Sequence, residues 1–212
     1  MPPLSSAMID LGFVAPNFRL PDYGALGGGT ELALDDVEGA KGTVVMFICN
    51  HCPFGKHVSE QLARLAEDYD AKGIGFVAIS ANDASAYPDD APEKMVEEAK
   101  RSAYAFPYLF DETQEVAKAY NATCTPDFFV FDSNRKLVYR GQLDDSRPGT
   151  NEPVTGADLR AALDAILGGE KPSAEQKPSV GCSIKWKPGN EPSPIGAGGS
   201  GDAARQPGAQ GT

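Results

Sequence analysis

Residues 43–53, Thr-Val-Val-Met-Phe-Ile-Cys followed by Asn-His-Cys-Pro, constrain the fold more than any other part of the chain. A short, continuous apolar run rich in β-branched residues is the pattern of a strand buried on both faces. Pro53 stands where a helix would begin. After it Val58, Leu62, Leu65 and Tyr69 recur at helical spacing, with His57, Glu60, Arg64 and Glu67 on the other faces. Gly73 and Gly75 end that helix, and 76–80 (FVAIS) reads as a second buried strand. Strand, crossover helix and strand form a βαβ unit, so these two strands are expected to be parallel. The fold class is α/β.

The rest of the chain fits around this unit. Residues 18–20 and 31–34 flank a Gly-rich stretch and read as an N-terminal hairpin. Residues 81–91 form a polar, turn-rich insertion, followed by a helix over 92–104 with Met95, Val96, Ala99 and Ala103 on its apolar face. A short strand is expected at 108–110 and a short helix over 112–120. Strands at 127–132 and 137–140 are joined by Ser133-Asn134-Arg135, and a last helix over 156–167 carries Leu159, Leu163 and Ile166. Asp89-Asp90 reads as a helix cap and Asp144-Asp145 as a solvated turn. Residues 1–170 are expected to form the domain. In 171–190, the island 180–187 (VGCSIKWK) holds the only Trp and alternates Val180, Cys182, Ile184 and Trp186, as a docked extended segment or added edge strand would. Residues 191–212 are Gly-, Pro- and Ala-rich and are expected to be disordered.

The chemistry rests on Cys49-Asn50-His51-Cys52-Pro53, which closes a strand and opens a helix. A helix N-terminus offers unpaired N–H groups and the positive end of the dipole, and both stabilise a thiolate. Cys49 is thereby the expected nucleophile, and Cys52, one turn on, resolves the mixed disulfide. His51 between them adds a donor or a partial positive charge. Four cysteines are too few for a disulfide scaffold in 212 residues. A structural zinc site needs a second ligand pair, whereas Cys124 and Cys182 are solitary, so no metal and no cofactor are expected. The formal charge of −11, from 19 basic and 30 acidic residues, excludes nucleic acid as the natural partner. No apolar run is long enough for a membrane span, and 1–18 lacks the charged and apolar regions of a secretory signal. A cytoplasmic location is expected.

Together with a Thr125-Pro126 step leading into the strand DFFVFD, the strand–CxxCP–helix opening resembles thioredoxin. The opening Ala15-Pro16-Asn17-Phe18-Arg19-Leu20 is similar to the start of the redoxin and peroxiredoxin-like branch of that superfamily. The combination CNHCPF, TCTPDFFVFD and GCSIKWKPGNEP is identified as that of a bacterial AhpC/TSA-type thioredoxin-like group. The resemblance spans 12–168 and implies a thioredoxin-like fold, with a central mixed β-sheet covered by helices on both faces. It also implies a cis Thr125–Pro126 bond facing Cys49, with the Thr125 backbone aimed at an incoming disulfide. Ile48 stands where thioredoxin has Trp, and thioredoxin's buried acid and lysine have no counterparts at Thr43 or in 76–80. The proton acceptor for Cys52 is left among His51, His57, Lys56 and Glu60.

The expected activity is thiol–disulfide exchange on protein or low-molecular-weight disulfides, with electrons from a reductase. Two alternatives stay open. Peroxiredoxins carry Pro-x-x-x-Thr-x-x-Cys, with the peroxidatic cysteine at the position of Cys52; here Val45 and Cys49 replace the Pro and the Thr. Copper-delivery relatives carry CxxxCP and a distant His, whereas this chain has only His51 and His57. Cys124 and Cys182 are candidates for auxiliary thiols.

Overall fold

Every residue of Gly42–Phe47 (β4) is buried, and the main sheet is built outward from it. In the computed structural model, which describes residues 3–192, β5 (Ile74–Ser80) pairs parallel with β4, and β6 (Tyr108–Phe110) pairs parallel with β5. On the other flank β8 (Asp127–Asp132) and β9 (Leu137–Gly141) run antiparallel, giving the order β6-β5-β4-β8-β9. Alternation along β4 feeds two cores. Val44, Met46 and Ile48 meet the helices α2 (Pro53–Asp70), α3 (Pro92–Arg101) and α5 (Ala157–Leu167). Val45 and Phe47 meet α1 (Leu34–Val37) and α4 (Glu115–Ala119) on the opposite face. The expected hairpin is present as β2 (Arg19–Pro21) and β3 (Glu31–Ala33).

The long helix is as its pattern predicts, with Val58, Leu62, Leu65 and Tyr69 all buried. The helix expected over 92–104 stops at Arg101, and Ala103, expected on its apolar face, is exposed with φ of 54°. The helix expected from 112 starts only at Glu115, because Gln114 takes a left-handed conformation with φ of 64°. Neither break is marked by a Gly, so neither shows in the residue pattern.

The island 180–187 supplies β10 (Val180–Ser183), which sits between β1 (Leu4–Ser5) and β7 (Cys124–Thr125) in a separate three-stranded sheet. It is thus a central strand, not an edge one, because the N-terminal segment covers its outer side. Ile184 is buried and Trp186 packs on the second core, while Val180 and Cys182 are only half-buried. The tail expected to be disordered lies, after its first two residues, outside the described residues.

Candidate active site

Cys49 leaves the carboxyl end of β4, held there by the Ile48 N–H donating to the Ile79 carbonyl at 3.0 Å. Cys52 is the N-cap of α2 and Pro53 its first residue, a position where a missing N–H costs nothing. Both sulfurs converge on one residue. Cys49 Sγ lies 3.2 Å from Thr125 Oγ1, and Cys52 Sγ lies 3.2 Å from the Thr125 carbonyl oxygen. The Thr125–Pro126 bond is cis. Cys49 is 5% exposed and Cys52 is fully enclosed, so Cys49 is the sulfur an external group reaches first.

The pair is arranged to share a proton. A hydrogen bond from the Cys49 thiol draws Cys52 toward the thiolate, and the thiol of Cys182 and the N–H groups of Gly55 and Cys182 also stabilise its charge against burial. The same shared proton, burial and the Asp90 carboxylate hold Cys49 in its protonated form. Helix-terminal donors therefore serve Cys52, where the sequence alone suggests Cys49.

The loop between the cysteines is organised by Asp90, which the sequence reading treats as a helix cap. It is instead fully buried at the end of the insertion. Its carboxylate accepts the N–H of Asn50 at 2.8 Å, the N–H of His51 at 3.2 Å and Asn82 Nδ2 at 2.8 Å, and it meets His51 Nδ1 at 2.5 Å. Burial pushes Asp90 up, but the bonds from His51 and Asn82 outweigh it and hold the carboxyl below its ordinary range. The bond to Asp90 raises His51 in turn, against its burial. The charge expected to favour a thiolate is thus compensated by Asp90, and His51 is set as the outer wall of the site, stacked on Tyr87 at 5.5 Å. Tyr108, also fully buried, donates its hydroxyl to Asn50 Oδ1 at 3.0 Å and fixes the loop from beneath.

Cys124 is buried beside the site, its thiol pushed well up by burial, and it donates to the Pro126 carbonyl at 3.8 Å. Cys182 lies opposite Thr125 in the β10–β7 ladder. His57 pairs with Ser146 Oγ at 3.2 Å, and Lys56 and Glu60 are exposed on α2. Asp144 is not part of a solvated turn: it is buried and accepts the N–H groups of Ser146, Thr155 and Gly156. Asp127, which the sequence does not single out, is a fully buried acid next to Pro126. Burial pushes it up to about 8, and Oδ2 has no hydrogen-bond partner among the described residues. For a metal, donor atoms of Cys49, His51 and Asp90 lie within 4.8 Å of one another. Both oxygens of Asp90 are already occupied by N–H donors, which suits it to a loop anchor.

The sequence profile of the AhpC/TSA family matches residues 11–140. None of the curated proteins matches the chain. Among solved structures, an uncharacterised conserved protein from Geobacillus kaustophilus is 58% identical with a TM-score of 0.86, covering 89% of this chain and 98% of that one. A hypothetical protein from Sinorhizobium meliloti is 49% identical with a TM-score of 0.84, covering 87% and 99%. The thioredoxin domain of a thiol-disulfide oxidoreductase from Bacteroides vulgatus is 20% identical with a TM-score of 0.52, covering 62% and 88%. The last likeness establishes that the fold is thioredoxin-like.

Proposed function

The chain belongs to the AhpC/TSA family, and from that premise we propose that it is a thiol–disulfide oxidoreductase whose Cys49 and Cys52 alternate between dithiol and disulfide. The observation that carries this reading is the convergence of both sulfurs on Thr125, one on its hydroxyl and one on its carbonyl. Cys49 attacks a substrate disulfide and passes its proton to Cys52, whose S–H then donates to the Thr125 carbonyl. One half of the substrate leaves as a thiolate. Cys52 next attacks Cys49 Sγ, the second half leaves, and the proton from Cys52 goes to a departing thiolate. Nucleophile choice follows access: the proton moves within the pair, and of its two sulfurs Cys49 is the less enclosed.

The substrates are protein or low-molecular-weight disulfides, and an external dithiol reductase restores the couple. A reducing compartment such as the cytoplasm suits that cycle. No helix among the described residues is long and apolar enough to cross a membrane. Peroxide chemistry is a second reading, favoured by the stabilisation of the thiolate on Cys52, the position of the peroxidatic cysteine in the family resemblance. One experiment separates the two. Reduced protein mixed with glutathione disulfide should form an intramolecular Cys49–Cys52 bond and release both glutathione halves, read by mass spectrometry. Inertness toward glutathione disulfide, with rapid oxidation by an equal concentration of hydrogen peroxide, would establish the peroxidase instead.

A further inference from the structure

Cys52 has a thiol on each side. Cys49 approaches from the carboxyl end of β4, and Cys182 approaches from β10, where its Cα is paired with Thr125. Cys52 Sγ lies 3.2 Å from the carbonyl oxygen of that same Thr125, and the thiol and N–H of Cys182 are near enough to help stabilise charge on Cys52. Close approach of β10 depends on Gly181, the residue before Cys182. A Cβ on Gly181 would lie 2.0 Å from the Thr125 carbonyl oxygen, so any other residue there would push the strand off the Thr125–Pro126 step. The ends of β10 are tied down as well. The Ser6 N–H donates to the Ser179 carbonyl at 2.9 Å, and the Lys185 N–H donates to Asn82 Oδ1 at 2.8 Å, which joins β10 to the Asp90 network. Of these three cysteines, Cys182 alone is half-exposed.

We propose that Cys182 is a third redox-active thiol of the site, which carries the disulfide from Cys49–Cys52 to Cys52–Cys182 and so separates the place where substrate is met from the place where reductant is met. In the exchange the Cys182 thiolate attacks Cys52 Sγ. A Cys52–Cys182 bond forms, the Cys49–Cys52 bond breaks, and Cys49 leaves as the thiolate and takes the proton that Cys182 gave up. Oxidation state is conserved, and no outside oxidant enters this step. A reducing dithiol then attacks Cys182 Sγ and Cys52 leaves as the thiolate; the second thiol of the reductant attacks its own bonded sulfur, the bond to Cys182 breaks, and Cys182 leaves and takes that thiol's proton. Burial and the Cys52 thiolate together push Cys182 up to about 12 in the reduced protein. Oxidation of Cys52 removes the second cause, while Lys185 remains nearby to favour the Cys182 thiolate.

This inference rests on the exchange reading, and the test keeps the two apart. The Cys49→Ser protein, treated with one equivalent of diamide and mapped by mass spectrometry, should contain a Cys52–Cys182 disulfide. Wild-type protein oxidised the same way and quenched with an alkylating reagent should contain a fraction in which Cys49 is alkylated while Cys52 is bonded to Cys182. That fraction should be lost in Cys182→Ser and sharply reduced in Gly181→Ala. Cys52 bonded to Cys124, or Cys182 alkylated in every oxidised species, would overturn the proposal. If the Cys52–Cys182 bond forms but glutathione disulfide leaves the wild-type protein reduced, the exchange reading falls and the third thiol stands.

Discussion

Two regions enclose the cysteine pair, and they are built on opposite terms. On one side the insertion ends in Asp90, whose carboxylate is fully buried and fully paired with the loop of the motif. On the other side β7 and β10 pair antiparallel, bringing Cys124, Cys182 and the half-satisfied carboxyl of Asp127 under a cover of backbone. The first region is charged and closed, and it holds the Asn50-His51 loop in one conformation. The second is thiol-rich and held chiefly by a strand ladder of few residues, and the proposed exchange chemistry belongs there. A buried charge is tolerated when every lone pair is used, whereas a buried acid with a free oxygen gives up its charge instead.

Removing the anchor of the closed region should have the largest effect. Asp90→Ala leaves buried N–H donors of Asn50, His51 and Asn82 without an acceptor, and a loss of roughly 3–5 kcal/mol is expected from denaturant unfolding. A loss below about 1 kcal/mol would mean that water replaces the carboxylate and that the region is not closed.

In the thiol-rich region the test is one of pH. Asp127 is raised from 3.8 to about 8 in the folded chain, so the folded state binds its proton more tightly than the unfolded state. Its contribution is complete below 3.8 and declines as pH rises, until the folded group also ionises near 8. Asp127→Asn should flatten the fall in stability across that window, with the gain over wild type largest at its alkaline end. Parallel curves for the two proteins would place an ionised Asp127 in the fold at neutral pH.

A smaller effect is expected at His51, whose raised value reflects its bond to Asp90. The pair stabilises the fold fully below the ordinary histidine range of 6.5 and loses that contribution as pH climbs through the raised value. Because the ring is partly exposed, His51→Asn should cost about 1 kcal/mol or less near pH 6 and progressively less above neutrality. Thermal unfolding followed across pH reads both limits.

The contrast also explains what could be read from the residues. Strand β4, helix α2 and the positions of Cys49, Cys52 and Pro53 follow from a contiguous apolar run, a 3.6-residue repeat and a proline, all of them local signals. The pairing of β10 was half legible: the alternation marked an extended segment, but its place between β1 and β7 depends on residues some sixty and more than a hundred positions away. Asp90 and Asp127 were not legible as buried groups. An aspartate in a polar insertion, or one opening an apolar strand, has the same local appearance whether solvent or four N–H groups surround it. Only the folded chain brings Asn82, Asn50 and His51 to the first and Ser179 and Ser6 to the second. For the same reason the placement of the thiolate-stabilising donors on Cys52 escaped the motif, since one of them is the N–H of Cys182.

In the proposed cycle Cys49 is the sulfur that meets the substrate and Cys52 the one that resolves it. The most direct measurement is peptide mapping of the Cys52→Ser protein after incubation with excess glutathione disulfide. A glutathione adduct held stably on Cys49, with Cys124 unmodified, is the predicted result. An adduct on Cys124 or Cys182 with Cys49 untouched would contradict it.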